Sequence, residues 1–147
     1  IISLNEKKIL LMHGDTLCTD DIKYQEYRKM VRSDKWQTAM KSKSLEERLS
    51  IANELRQKSM LETKDKSADI MDVNQNAVND AFIKYEADIL IHGHTHRANI
   101  HNIKVNYKKV QRIVLGDWYQ SAFFLIYDNG KTIINKQSLM FKKDRNS

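Results

Sequence analysis

Three of the chain's five histidines, His92, His94 and His96, stand within one short string, "ILIHGHTHRANI". Neutral imidazole is the commonest protein ligand for transition metals near neutral pH. In extended backbone, alternate side chains share a face. His94 and His96 are therefore expected to reach one cavity, with Thr95 turned away and Gly93 letting the chain bend. A further histidine, His13, lies in a second short string, "HGD", which also follows an apolar run, "KILLM". If the two runs are neighbouring strands, three imidazoles meet at one sheet edge. The competing reading is histidines in surface loops or bonded to backbone in the core, and the isolated His101 keeps that reading. Asp15 either orients His13 through a hydrogen bond or starts a turn. Cys18, the only cysteine, is read as a packing residue.

The elements that must carry these residues follow from periodicity. Residues 8 to 12, "KILLM", and 88 to 92, "DILIH", are apolar enough for buried strands. Both end in the histidine strings, and the C-terminal edge of such strands is where α/β proteins bind ligands. "TDD" at 19 to 21 offers N-caps for a helix through "IKYQEYRKMVRS". Residues 35 to 61 favour helix, and Leu45, Leu49, Ala52 and Leu55 form a stripe read as core. After "ETKDKSAD" breaks the pattern, a further helix is expected over about residues 68 to 85, with Ile70, Val73, Ala77, Ala81 and Tyr85 on one face. "RIVLGDW" at 112 to 118 reads as another strand. "SAFFLIYDNGKTIINK" reads as a hairpin turning at Asp128-Asn129-Gly130. The order predicts an α/β protein with a mixed sheet and a helical stretch inserted between two of its strands.

With 147 residues, 41% hydrophobic and 30% charged, the chain is large enough for one domain with a core of its own. No apolar run approaches the roughly 20 residues that span a bilayer. A single cysteine excludes an internal disulfide and fits a reducing compartment. The net charge of +6 suits an anionic partner. A nucleic-acid-binding module would need its Lys and Arg clustered beside stacking aromatics, and here the charges are scattered. The chain has no proline. It also enters a buried-type strand almost at once, as expected of a piece of a longer protein.

"HGD" after one strand and "GHTH" after a later one resemble the third and last metal-binding motifs of the calcineurin-like metallophosphoesterases. The longer strings "LLMHGDTLCTDD", "IMDVNQNAV" and "LIHGHTHR" are similar to those of one branch, the UDP-2,3-diacylglucosamine pyrophosphohydrolases of lipid A biosynthesis, over most of residues 8 to 118. The resemblance implies a sandwich of mixed β-sheets flanked by helices. Residues 1–147 would form the C-terminal part of a single domain, and 35–66 a helical lid insertion that holds acyl chains. It implies two Mn²⁺ ions about 3.5–4 Å apart, one held by His13 and His94 and the other by His96. A hydroxide between them would attack phosphorus, splitting UDP-2,3-diacylglucosamine into UMP and 2,3-diacylglucosamine 1-phosphate.

The resemblance also implies substrate contacts from Asp21, Ser59, Thr63, Lys66 and His94. Asp21 can equally serve as an N-cap, and Thr63 stands where the family commonly has asparagine. Lys66 would meet a phosphate as a point charge. The family lies peripherally on the cytoplasmic face of the inner membrane. Lys35, Lys41 and Lys43, beside Trp36 and Met40, either rest on acidic lipid or form a solvated face. Part of the Leu45/Leu49/Leu55 stripe would line an acyl pocket. There are departures too. The family's Asp-x-His, Gly-Asp and Gly-Asn-x-Asp motifs do not occur, so the N-terminal part is expected to be missing and the chain alone to be inactive, with "KILLM" short of a strand neighbour. Ala98 replaces a common proline. The rival within the same fold is a phosphoesterase for a soluble nucleotide, which has no need of an apolar chamber in the helical segment.

Overall fold

The computed structural model describes residues 1–64, 66–67 and 69–139. It divides into two compact units, one made of Ile1–Leu17 with the chain from Gln75, the other of Cys18–Asn74.

The first unit is built on a five-stranded sheet. Its strands are β1 (Ile2–Leu4), β2 (Lys7–Met12), β3 (Ile89–His92), β4 (Asn99–Val105) and β5 (Lys108–Val114), in the spatial order β1-β2-β3-β5-β4. The central three are parallel, and β1 and β4 pair antiparallel at the edges. "KILLM" and "ILIH" are central strands because nearly continuous apolar runs tolerate burial on both faces. Alternation puts Ile9, Ile89 and Ile113 on one face, where they pack with Leu125, Tyr127 and Ile134 of a hairpin, β6 (Ser121–Asp128) and β7 (Lys131–Ser138). The hairpin is also tied to the sheet by Thr132 Oγ1, which donates to Gln111 Oε1 at 2.6 Å. A helix, α4 (Gln75–Tyr85), buries Val78, Ala81 and Phe82. The mixed α/β architecture is as the sequence predicts. Three details are corrected. "KILLM" has a neighbour on each side, because β1 pairs where an open edge was expected. The strand expected at 112–118 runs instead from Lys108 to Val114, and β4 pairs with it.

The second unit is helical in its described residues: α1 (Ile22–Val31), α2 (Asp34–Lys41) and α3 (Leu45–Lys64). Asp21 caps α1, its carboxylate accepting the Tyr24 N–H at 3.1 Å. Ser33 caps α2 through the Trp36 N–H. At α3, Ser44 and Glu47 form a reciprocal capping box: the Ser44 N–H donates to Glu47 Oε2 at 2.8 Å, and the Glu47 N–H to Ser44 Oγ at 3.2 Å. The Ser44 amide, helped by the ammonium of Lys43, holds the Glu47 carboxyl below its ordinary range. Two expectations fail here. Leu45 and Leu49 are 66% and 56% exposed, so the stripe read as core is core only in part. The helix expected from about residue 68 begins at Gln75. Asp72 Oδ1 accepts the Val73 N–H, so a short polar side chain takes a backbone donor that a helix would use.

Candidate functional site

Parallel pairing sets Met12 opposite His92, so the turns after β2 and β3 leave the same sheet edge. There the rings of His13 and His94 stand 5.0 Å apart between centroids, tilted by 60°. Two imidazoles at this spacing are of the ligand type a transition metal takes. Behind His13 lies Asp15, 4% exposed, with Oδ1 at 3.2 Å from His13 Nδ1. Asp15 also opens a 3-10 turn, Asp15–Leu17, so both of its anticipated roles are met by one residue. The two turns touch closely. Gly14 has φ +106°, and a Cβ there would sit 2.8 Å from His92 Nδ1 and 3.1 Å from the Gly93 carbonyl oxygen. The Gly93 N–H donates to the His13 carbonyl at 3.0 Å, linking the turns directly.

The reasoning from extended backbone fails in this loop. His94 and His96 have φ of +66° and +56°, left-handed values uncommon for any residue but glycine, though less so for histidine than for most side chains. His94 reaches His13 because the chain turns between Gly93 and Thr95, whose N–H donates to the Gly93 carbonyl at 2.8 Å. Among the described residues, His96 makes no ring contact with either of the other two and is exposed. Nor is any cluster of three or more His, Cys, Asp or Glu gathered there for a metal. His92 is 1% exposed and makes no pair with His13; its ring nitrogens contact the Gly93 carbonyl and Arg112. His101 lies on β4 opposite Arg112. Cys18 is buried, with Sγ 3.9 Å from the Met71 carbonyl, as a packing residue should be. Sequence reading missed Gly14 and Arg112, and singled out His92 without giving it a role. The glycine between His13 and Asp15 was a visible signal for the first, and nothing in the local sequence marks Arg112.

In the second unit, Lys66 Nζ donates to both oxygens of Asp21, at 2.8 and 2.7 Å. Two expected substrate contacts are thus held together, with side chains only 17% and 11% exposed. Ser59 lies on a cavity of about 560 Å³ between α1, α2 and α3, lined also by Tyr27, Trp36, Met40, Ile51 and Leu55. Leu55 and Ala52 of the stripe face this cavity; Leu45 and Leu49 do not. Trp36 and Met40 line this cavity, and Lys43 pairs with Glu47 at 3.5 Å. Thr63 stands at the end of α3, and its side chain lies outside the described residues.

No family model matches the chain. Curated relatives do. A UDP-2,3-diacylglucosamine hydrolase of Histophilus somni (strain 2336) is 47% identical over 125 residues, covering 85% of this chain and 52% of the relative. One from Photorhabdus laumondii is 44% identical over 136 residues, 92% of this chain and 57% of the relative. One from Bordetella pertussis is 47% identical over 111 residues, 76% and 43% respectively. The chain spans about half the length of these relatives.

Proposed function

We infer that this chain, a homologue of the UDP-2,3-diacylglucosamine hydrolases, is part of an enzyme that hydrolyses the pyrophosphate bond of UDP-2,3-diacylglucosamine, releasing UMP and 2,3-diacylglucosamine 1-phosphate for lipid A biosynthesis. The observation that carries this reading is the meeting of His13 and His94, 5.0 Å apart at the edge where parallel strands end. Two imidazoles fit one cation but do not complete a site, since a catalytic metal usually keeps about three protein ligands. In the whole protein the remaining ligands would come from the part this chain does not span. His13 and His94 would hold one Mn²⁺ and His96 the second, with Asp15 fixing the His13 ring. Manganese suits a shell of imidazole and carboxylate, and when bound it supplies charge neutralisation at the phosphoryl oxygens.

The helical unit is read as the lid and acyl chamber, with residues 35–66 as the insertion. Its cavity is walled by apolar side chains, which an acylated substrate needs and a soluble nucleotide does not. That favours the lipid substrate over the soluble-nucleotide rival. Lys66 is the residue for a substrate phosphate, exchanging the Asp21 carboxylate for a phosphoryl oxygen, and Ser59 offers a hydroxyl beside the chamber. Among the described residues no helix is long and apolar enough to cross a membrane. A diacyl substrate and a charge of +6 fit peripheral contact with the cytoplasmic face of the inner membrane.

The test is release of UMP by the full-length protein, before and after metal is removed by chelation. Activity should vanish with the metal and return with Mn²⁺, and His94→Ala or His96→Ala should nearly abolish it. Undiminished turnover in metal-free protein would remove the metal reading. Equal turnover of a non-acylated UDP-sugar would remove the lipid substrate.

A further inference from the structure

The histidine that no metal needs carries the inference. We propose that His92, held by Arg112, is a positioning residue that fixes the turn presenting His94 to His13; this rests on the function inferred above. His92 is 1% exposed and Arg112 is 8% exposed. Arg112 Nη1 lies 3.2 Å from His92 Nε2, and His92 Nδ1 lies 2.9 Å from the Gly93 carbonyl oxygen. A guanidinium can only donate. Nε2 must therefore accept, and the ring hydrogen sits on Nδ1, aimed at the Gly93 carbonyl. Arg112 and the Gly93 carbonyl, a donor and an acceptor at opposite ring nitrogens, select the same tautomer, and the tautomer ties the loop.

What is tied is the turn itself. The Gly93 N–H donates to the His13 carbonyl, and the Gly93 carbonyl accepts from both His92 Nδ1 and the Thr95 N–H. The His92 carbonyl accepts the Leu115 N–H at 2.8 Å. The peptide just before His94 is thereby held on both sides. That matters because His94 sits at φ +66°, which disfavours an L residue by about 1–2 kcal/mol and persists only where the surroundings over-determine it. The ring is also wedged beneath the other turn, since Gly14 approaches His92 Nδ1 too closely to carry a side chain. One imidazole thus sets the spacing between the turns bearing His13 and His94. A plain packing role would be filled as well by phenylalanine. Phenylalanine would withdraw the donor from the Gly93 carbonyl and leave the buried guanidinium facing a hydrocarbon edge.

The full-length protein tests this with three variants and two readouts. In metal-free wild type labelled with ¹⁵N-histidine, the long-range ¹H–¹⁵N spectrum should show His92 as the Nδ1–H tautomer. In Arg112→Met, which removes the donor at Nε2 while the Gly93 carbonyl remains at Nδ1, that preference should weaken and the Nε2–H form should become detectable. By calorimetry, His92→Phe should bind Mn²⁺ about 10- to 100-fold more weakly, the usual consequence of losing a group that orients a ligand, with KM for UDP-2,3-diacylglucosamine nearly unchanged. His92→Asn, whose side-chain amide can still donate to the Gly93 carbonyl, should recover most of the loss. An Nε2–H tautomer in wild type, or Mn²⁺ affinity within twofold of wild type in both His92→Phe and Arg112→Met, would overturn the positioning role. Should His92→Phe fail to fold, Arg112→Met decides alone. A wild type that binds no Mn²⁺ would instead overturn the metal reading on which the role rests.

Discussion

Replacing Gly14 by alanine should be far more damaging than the same change at Gly130, and the difference can be worked from geometry. Both glycines have positive φ, +106° and +79°. For each, an L residue there costs about 1–2 kcal/mol in backbone strain. At Gly130 a new Cβ meets nothing within 4 Å. At Gly14 it falls 2.8 Å from His92 Nδ1 and 3.3 Å from His92 Cβ, atoms of a buried ring bonded on two sides. Such an atom cannot swing aside, so the turn must shift, and forced overpacking of this kind costs about 1–3 kcal/mol more. Gly14→Ala should therefore destabilise by about 2–5 kcal/mol against about 1–2 for Gly130→Ala. At about 2–4 °C per kcal/mol for a chain of this size, the two melting temperatures should differ by roughly 2–12 °C. Urea denaturation monitored by circular dichroism gives the free energies. Equal losses at the two sites would show that the turns are not packed as described.

Three further outcomes are expected. Burial alone would raise the Asp88 carboxyl, but the ammonium of Lys108 at 2.8 Å and the Lys8 N–H at 2.8 Å outweigh it, so it lies below its ordinary value. Its folded-state value being the lower, its contribution is complete above the unfolded value of about 3.9 and is lost as pH falls through the folded one; Asp88→Asn should flatten that acid limb in melts across low pH. Leu49→Ser should change stability by no more than about 0.5 kcal/mol, since the side chain is exposed, whereas a loss of several kcal/mol in denaturant would return the residue to the core. Lys66→Ala should lower kcat/KM by about 10- to 100-fold, as expected for a lost charge-assisted hydrogen bond, with metal content by elemental analysis unchanged; loss of metal would make Lys66 structural.

How much was legible depended on where the determining interactions lie. The parallel strands at "KILLM" and "DILIH" were visible because burial on both faces demands an unbroken apolar run. The edge strands were not. β4, "NIHNIKV", mixes polar residues into its exposed face, and β1 is only three residues long. Each ends in a two-residue turn with positive φ at both positions, Asn106-Tyr107 and Asn5-Glu6, built like the turn at Asn129-Gly130. All three turns begin with asparagine, but only the last supplies the glycine that makes such a turn recognisable. The histidine cluster stood out by its spacing, while its geometry did not, because alternation assumes extended backbone and His94 and His96 are left-handed. The capping box at Ser44 and Glu47 was present as "SLEE" and went unread.

The register that pairs Ile9 with Ile89 also bears on how the chain acquires its structure. These neighbours are separated by about eighty residues, and the whole helical unit lies in that interval. The entropy of closing a loop grows only by about 0.6 kcal/mol with each doubling of its length, so the separation slows the pairing more than it weakens it. During synthesis β2 emerges before β3 and cannot complete this parallel pairing until β3 follows. With no proline in the chain, prolyl isomerisation adds no slow step here. The parallel pairing that brings His13 to His94 thus forms after the local structure between the two strands.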